Sequence, residues 1–380
     1  MIYFDSAATT PMDTKVVNYI TELMNNIYGN PSSIHQIGQN AKAIIEKSRY
    51  KIAKSLNVKT KEIFFTSGGT ESNNLVLRSV LSKNDHFITS SIEHSAILKT
   101  KDDLEKKGVL STVIHPNKYG QITLEKIKNS LKPNTKLVSI MYVNNELGTI
   151  NDIEKIAEFL HHKEILFHTD AVQAVGKIDI DLNKLKVNFL SASAHKFHGP
   201  KGVGFLYCKN KNIIHPQITG GGQERNIRGG TENISGIGGM GFALEMANEN
   251  MDTNTKYMKK LENKLFNELE SAKIKFRRNG TNHVVGIYNI TFFDVPGNLL
   301  IVNLDLENIA ISYGSACSSG SLKPSPVHEL IGLSKYESEC TVRISLSKLN
   351  TCDEIVSFTI VLKKVIHKIK KRNICQKNVF

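Results

Sequence analysis

The stretch Glu62-Ile63-Phe64-Phe65-Thr66-Ser67-Gly68-Gly69-Thr70-Glu71-Ser72-Asn73 passes from an apolar run into small residues and then into a helical pattern. A short apolar run bounded by turn residues reads as a buried strand. The same alternation recurs from about residue 60 to residue 210. Candidate strands lie at 62–66, 87–90, 137–143, 165–169, 189–192 and 203–208, with helical periodicity between them at 124–131 and 153–161. Strands that alternate with helices predict an α/β fold, a mainly parallel sheet covered by helices on both faces. In such sheets the binding crevice lies beyond the carboxyl ends of the strands. The polar residues just after each strand are therefore the ones that decide function.

A helical pattern over 237–272 carries the chain out of this region. Beyond it, strands near 284–292 and 341–345 flank a helix at 296–306, which predicts a smaller α/β lobe. At 380 residues the chain exceeds one simple core, and two domains are expected. The boundaries read as residues 14–255 for the large domain, with 1–13 and 256–380 forming the small one.

Lys and Arg number 49 against 36 Asp and Glu, a formal net charge of +13. The basic residues are scattered, so nucleic-acid binding is not expected. The one dense cluster, Lys363-Lys364 through Lys371-Arg372, sits on Val361, Leu362, Val365, Ile366 and Ile369. That spacing describes an amphipathic last helix with a basic face, open either to solvent or to an acidic protein partner. Five widely spaced cysteines (Cys208, Cys317, Cys340, Cys352, Cys375) suit reduced thiols and a cytoplasmic location. No signal peptide and no membrane span are expected.

Four strand ends carry chemistry. After Thr66, Ser67-Gly68-Gly69-Thr70 opens a helix; glycines admit an anion close to the backbone, and a helix N-terminus offers free N–H groups. The same residues also make an ordinary turn and cap. In Phe167-His168-Thr169-Asp170-Ala171-Val172-Gln173, Asp170 ends an apolar strand, where a carboxylate calls for a partner; it either meets a protonated ring nitrogen or caps the next helix. In Ser193-Ala194-His195-Lys196-Phe197-His198-Gly199-Pro200, Lys196 follows an apolar strand and is a candidate Schiff-base lysine. An ordinary lysine is neutral in only about one molecule in 2,000 at pH 7, so a nucleophilic one needs a desolvated or cation-rich site. Finally, Gly314-Ser315-Ala316-Cys317-Ser318-Ser319-Gly320-Ser321 places one thiol among small residues without apolar anchors, which reads as an exposed loop bearing a reactive cysteine.

Read in order, these segments resemble the group I cysteine desulfurases of the nitrogen-fixation and iron–sulfur-cluster-assembly type, within the class-V aminotransferase superfamily. The likeness also covers Tyr3-Phe4-Asp5-Ser6-Ala7-Ala8-Thr9-Thr10-Pro11, Gly29-Asn30-Pro31-Ser32-Ser33, Glu93-His94, Asn144-Asn145-Glu146, Arg228-Gly229-Gly230-Thr231 and Val342-Arg343-Ile344-Ser345.

The resemblance implies a fold-type I pyridoxal-phosphate enzyme with a seven-stranded sheet. It implies that Lys196 holds pyridoxal 5'-phosphate and moves the Cα proton, with His94 stacked on the ring and assisting. Asp170 pairs with the ring nitrogen, Gln173 meets the phenolic oxygen and Asn145 lines the ring. Gly69, Thr70, Ser193 and His195 hold the phosphate, with Thr231 reaching over from the second subunit of a homodimer. Asn30 and Arg343 bind the carboxylate of L-cysteine, and Cys317 takes its sulfur as a persulfide for a sulfur-acceptor protein. Cys317 is also the one implied metal residue, as a transient iron–sulfur ligand. Residue 229 is glycine where the family usually has serine, which bears on the intersubunit phosphate contact. Another class-V enzyme such as a selenocysteine lyase is the alternative.

Two patterns are decoys. Gly236-Ile237-Gly238-Gly239-Met240-Gly241 matches the spacing of dinucleotide-binding glycines but lacks a preceding hydrophobic strand, so it reads as a tightly packed helix start. His161-His162 and the pair His195 and His198 lack the further ligands that a metal site needs.

Overall fold

The structure, a computed structural model, describes residues 1–314 and 323–377, with the side chains of the last helix described as far as residue 371. Strand β1 (Ile2–Tyr3) precedes helices α1 (Thr14–Asn26) and α2 (Gln36–Ser55). There follow β2 (Ile63–Thr66), α3 (Gly69–Val80), β3 (His86–Ser90), α4 (Ser95–Lys106), β4 (Leu110–Ile114), α5 (Leu124–Ser130), β5 (Thr135–Ser139), α6 (Ile153–His162), β6 (Leu166–Asp170), β7 (Phe189–Ser193) and β8 (Gly204–Cys208). Helices Ile234–Glu249 and Met251–Ser271 lead to β9 (Phe276–Asn279), β10 (Ile287–Phe292), helix Gly297–Leu306, β11 (Ile309–Ala310), β12 (Thr341–Ser345) and the final helix Cys352–Lys377.

The large sheet has seven strands in the order β2-β8-β7-β6-β5-β3-β4. β8 runs antiparallel to both neighbours, and every other pair is parallel. Phe64, Phe87, Leu137, Val138, Phe167, Phe189, Leu190 and Phe205 are all buried, as a sheet covered on both faces requires. A second sheet, β12-β10-β9, is antiparallel, and β1 pairs with β11. Around this second sheet Phe4, Leu261, Leu265, Tyr288, Phe292, Leu300, Phe358 and Leu362 form their own apolar cluster.

Two elements differ from the reading of the sequence. Strand β4 has no clear apolar signal because it is the edge of the sheet, where Leu110 is 47% exposed. The helical pattern over 237–272 is two helices. Asn250 leaves the helical conformation (φ −106°, ψ 12°), and its side chain donates to the Met246 carbonyl at 2.8 Å. The two halves also bury different faces. The first packs its glycines against α1 and α2: a Cβ at Gly238 would lie 2.4 Å from Leu23 Cδ1, and one at Gly241 would lie 2.8 Å from the Ser48 Cα. Those glycines serve close helix packing, as expected. The second half is amphipathic and covers the second sheet with Leu261, Leu265 and Leu269.

A buried ion pair ties α2 to the large sheet. Both Arg49 and Glu224 are almost fully enclosed, and their side chains meet through two hydrogen bonds of 2.7 and 2.9 Å. Arg49 also donates to the Ile63 carbonyl, and Glu224 accepts the Phe65 N–H at 2.8 Å. Residues 224–226 all adopt positive φ to bring that carboxylate inward. Removing one partner of such a pair strands a buried charge. Glu224→Ala is expected to destabilise the protein by about 3–5 kcal/mol, read as a lower urea midpoint; an unchanged midpoint would show that the pair contributes nothing.

Candidate active site

Five strands of the large sheet deliver polar groups to one edge. β2 ends in Gly68 and the N-terminus of α3, β3 in His94, β5 in Asn145, β6 in Asp170 and Gln173, and β7 in Ser193, His195 and Lys196. With Arg343 from β12 they line one cleft of about 450 Å³. Of the residues picked from the sequence, Gly69, Thr70, His94, Asn145, Asp170, Gln173, Ser193, His195, Lys196 and Arg343 all meet there. Asn30 does not: it is exposed, and its Oδ1 accepts the Ser32 N–H. Thr231 is exposed, in the segment before helix Ile234–Glu249, and does not line this cleft. Cys317 lies outside the described residues.

The turn after β2 is shaped for close approach. Gly68 takes φ +154°, and a side chain at Gly204 on the neighbouring strand would lie 2.6 Å from the Gly68 Cα and 2.5 Å from the Ala192 carbonyl oxygen. Glycine at both positions lets the loop lie flat on β8 and expose the α3 N-terminus. The Thr70 hydroxyl, Ser193 and His195 complete a set of neutral polar groups suited to a phosphate. Burial, helped by the Lys196 and Lys201 charges, pushes His195 down to about 4. The ring is therefore neutral at physiological pH, and its Nδ1 meets Thr9 Oγ1 at 3.1 Å.

Lys196 reaches back across the cleft. Its Nζ donates to the carbonyls of Ala7 at 2.6 Å and Ala8 at 2.7 Å. His94 caps α4, its Nδ1 accepting the Ala96 N–H at 3.1 Å. That bond requires an unprotonated Nδ1 and places the imidazole proton on Nε2. Asp170 is 5% exposed and takes its hydrogen bonds, among the described residues, from two neutral donors: Asn73 Nδ2 at 2.7 Å and the Val172 N–H at 3.0 Å. A buried carboxylate so placed suits a cationic ring nitrogen. Arg343 donates to Asp5 Oδ1 at 2.8 Å, the Asn145 carbonyl at 2.9 Å and Ser312 Oγ at 3.1 Å. Its buried Nε has no hydrogen-bond partner among the described residues, and Arg343 itself lines the cleft.

Sequence reasoning gave no role to several of these neighbours. Asn73 follows Thr70 by three positions on α3 and so shares its face, a signal available from the spacing. Asp5 and the carbonyls of Ala7 and Ala8 carried no local signal, because they act through contacts made far along the chain. Two other described thiols are poor nucleophiles: Cys208 is buried, with its thiol pushed up to about 12, and burial also raises Cys340. Among the described residues no three metal-ligating side chains come together, and no described helix is long and apolar enough to cross a membrane.

Comparison with known proteins places this geometry. The aminotransferase class-V family model matches residues 2–358. The chain belongs to that family. Within it, the chain is 41% identical over 376 residues to the cysteine desulfurase IscS of Dictyoglomus turgidum, covering 97% of this chain and 95% of that one. A solved NifS-like protein superposes with a TM-score of 0.90 at 36% identity, over 96% of this chain and 99% of that one. The structure of SspA in complex with cysteine gives a TM-score of 0.82 at 36% identity, over 92% and 100%. This class-V chain is thus one of the IscS/NifS-like cysteine desulfurases, which use pyridoxal phosphate. The cleft has the donor set that this cofactor needs: anion donors at the α3 N-terminus, a buried carboxylate for the ring nitrogen, an amide for the phenolic oxygen and an amine for the carbonyl carbon.

One buried group beside the cleft is distinctive. Glu93 Oε1 accepts from Ser90 Oγ at 2.6 Å and the Met141 N–H at 3.0 Å, while Oε2 has no partner among the described residues. Burial, and more weakly the Asp170 charge, raise its carboxyl from 4.5 to about 8. The folded protein therefore holds the proton more tightly than the unfolded chain, and Glu93 favours folding most at acid pH. This contribution is lost as pH rises from about 4.5 through about 8. Glu93→Gln is expected to melt with a flatter pH dependence between pH 5 and 9, closing on or passing the wild type at the alkaline end. Parallel melting curves for the two proteins would contradict a protonated Glu93.

Proposed function

We propose that the chain removes sulfur from L-cysteine onto Cys317, giving L-alanine and a Cys317 persulfide for a sulfur-acceptor protein. The observation that carries this reading is the convergence of Lys196, Asp170 and Arg343 on one cleft. Bound there, pyridoxal phosphate supplies the electron sink that stabilises negative charge at the substrate's Cα. Asp170 holds the ring nitrogen protonated, and Gln173 donates to the phenolic oxygen. Gly69, Thr70, Ser193 and His195 take the phosphate, with Asn145 and His94 against the ring. Arg343 receives the substrate carboxylate through a planar fork that a lysine does not supply, and Asn30 assists.

Lys196 would carry the cofactor's covalent attachment, and its amine, once freed by the substrate's amino group, would remove the Cα proton, assisted by His94. The Cys317 thiolate attacks the substrate's sulfur. The C–S bond breaks, a new S–S bond forms on Cys317, and the carbon skeleton takes up a proton to leave as alanine. The sum is cysteine plus one thiol giving alanine plus one persulfide, so atoms and electrons balance without an added reductant. We further propose a cytoplasmic homodimer in which Thr231 of one subunit completes the other's phosphate site. The domain division proposed is 14–255 against 1–13 with 256–380, and Cys317 is a candidate transient iron–sulfur ligand.

The test is incubation of the holoenzyme with L-cysteine while alanine and sulfur bound to Cys317 are measured together. Cys317→Ala is expected to abolish alanine and sulfide release with the cofactor's visible spectrum intact; undiminished turnover would overturn the persulfide route. Asp170→Ala is expected to lower cofactor retention by at least tenfold, on the order of one lost charge-assisted contact, measured by dialysis against cofactor-free buffer. Wild-type retention would remove Asp170 from the scheme.

A further inference from the structure

Behind the wall formed by Ala7 and Lys196 lies a second cavity of about 190 Å³, and Lys177 lines it. Lys177 lies four positions beyond Gln173 in the turns that follow β6 and is half-buried, with its Nζ 2.7 Å from Gln173 Oε1. The other end of that amide is fixed as well: Nε2 donates to the Ala7 carbonyl at 2.8 Å, the same oxygen that accepts Lys196 Nζ. The orientation of this amide follows from chemistry at both ends. A carbonyl oxygen only accepts, and an ammonium only donates, so Ala7 must face the –NH2 group and Lys177 must face the oxygen.

The two hydrogens on Nε2 then have distinct uses. One goes to Ala7, and the second remains for the cleft that Gln173 lines. An amide turned by 180° would instead present a carbonyl oxygen to that cleft and repel an anionic guest.

We propose that Lys177 is a positioning residue that locks Gln173 so that only N–H faces the cofactor's phenolic oxygen, favouring that oxygen as the anion. Two like-charged groups face Lys177. Burial first, and then the opposing charges of Lys196 and Arg343, bring its ammonium down to about 7; it bears in turn on His195 and His198. The site thus keeps a responsive cation next to the amine that must act in its neutral form. Neither the neutral amine nor the ammonium of Lys177 loses the ability to donate to Gln173.

The inference rests on the assignment of Gln173 and Lys196 to the cofactor. Its test is a double-mutant cycle on the holoenzyme, read as the pH midpoint of the bound cofactor's visible absorption change. Lys177→Met keeps the length of the side chain and removes donor and charge. It is expected to raise the midpoint by about one pH unit. In the Gln173→Leu background the same change is expected to move the midpoint by less than half as much, since the residue acts through the amide. A midpoint indifferent to residue 177, or a shift equally large in both backgrounds, would overturn the proposal. If the Met variant does not fold, Lys177→Gln runs the same cycle, with a smaller shift expected and the same two overturning results. Wild-type protein that takes up no pyridoxal phosphate would refute the assignment of the cleft, whereas a bound cofactor that ignores residue 177 refutes the role of Lys177 alone.

Discussion

The ammonium of Lys196 is clasped by two consecutive carbonyl oxygens, those of Ala7 and Ala8, and the remainder of the site is arranged about that contact. The segment that supplies them is itself held from both sides. Ser6 N–H bonds the Ser345 carbonyl, Ala7 N–H bonds Ser345 Oγ, and Thr10 N–H bonds the His195 carbonyl. The small sheet and the large sheet thus grip one stretch of backbone between them, and that stretch sets where the reactive amine points. Gln173 joins through the same Ala7 oxygen, so the amine and the amide are registered against a single atom.

The electrostatic character of the cleft follows from what surrounds it. Lys196, Lys201, Arg343 and, through the rear cavity, Lys177 bring positive charge to a volume lined by the acids Asp170 and Glu71, the latter paired with Arg228. Such a cleft favours anions, which suits both a phosphate and an amino-acid carboxylate. Neutrality is imposed elsewhere. His168 and His195 are pushed down to about 4, and Glu93 is pushed up to about 8, in each case chiefly by burial. The charges that remain at neutral pH are the ones with chemistry to do, and the groups behind them are hydrogen-bonding spacers.

Much of this was legible in the sequence because the strands are short, apolar and closed by small or polar residues. Asp170 and Lys196 could be picked out because each directly follows a buried run, and the crevice of a parallel sheet opens at that end. The edge strand β4 was not legible, since only Ile114 of its five residues is buried and its apolar pattern is broken. Nor was the break at Asn250, where one continuous helical period hides a change of packing partner. Arg343 could be read as a binding residue only by resemblance. Its partners Asp5 and Asn145 lie 338 and 198 positions away, and no local pattern encodes a contact at that range.

Those separations constrain how the molecule is made. The oxygen atoms that anchor the reactive amine belong to residues 7 and 8, yet the strand that fastens them in place ends at Ser345, and Tyr3 is tied by its carbonyl to Asn350. Residues 7 and 8 are synthesised long before Ser345 and Asn350, since Ala7 and Ser345 are 338 positions apart. Until then residues 2–10 have only part of their partners, and the large sheet must form with that slot still open. Closing so long a loop is slow relative to local folding, so catalytic competence waits on the closure of that one long-range contact.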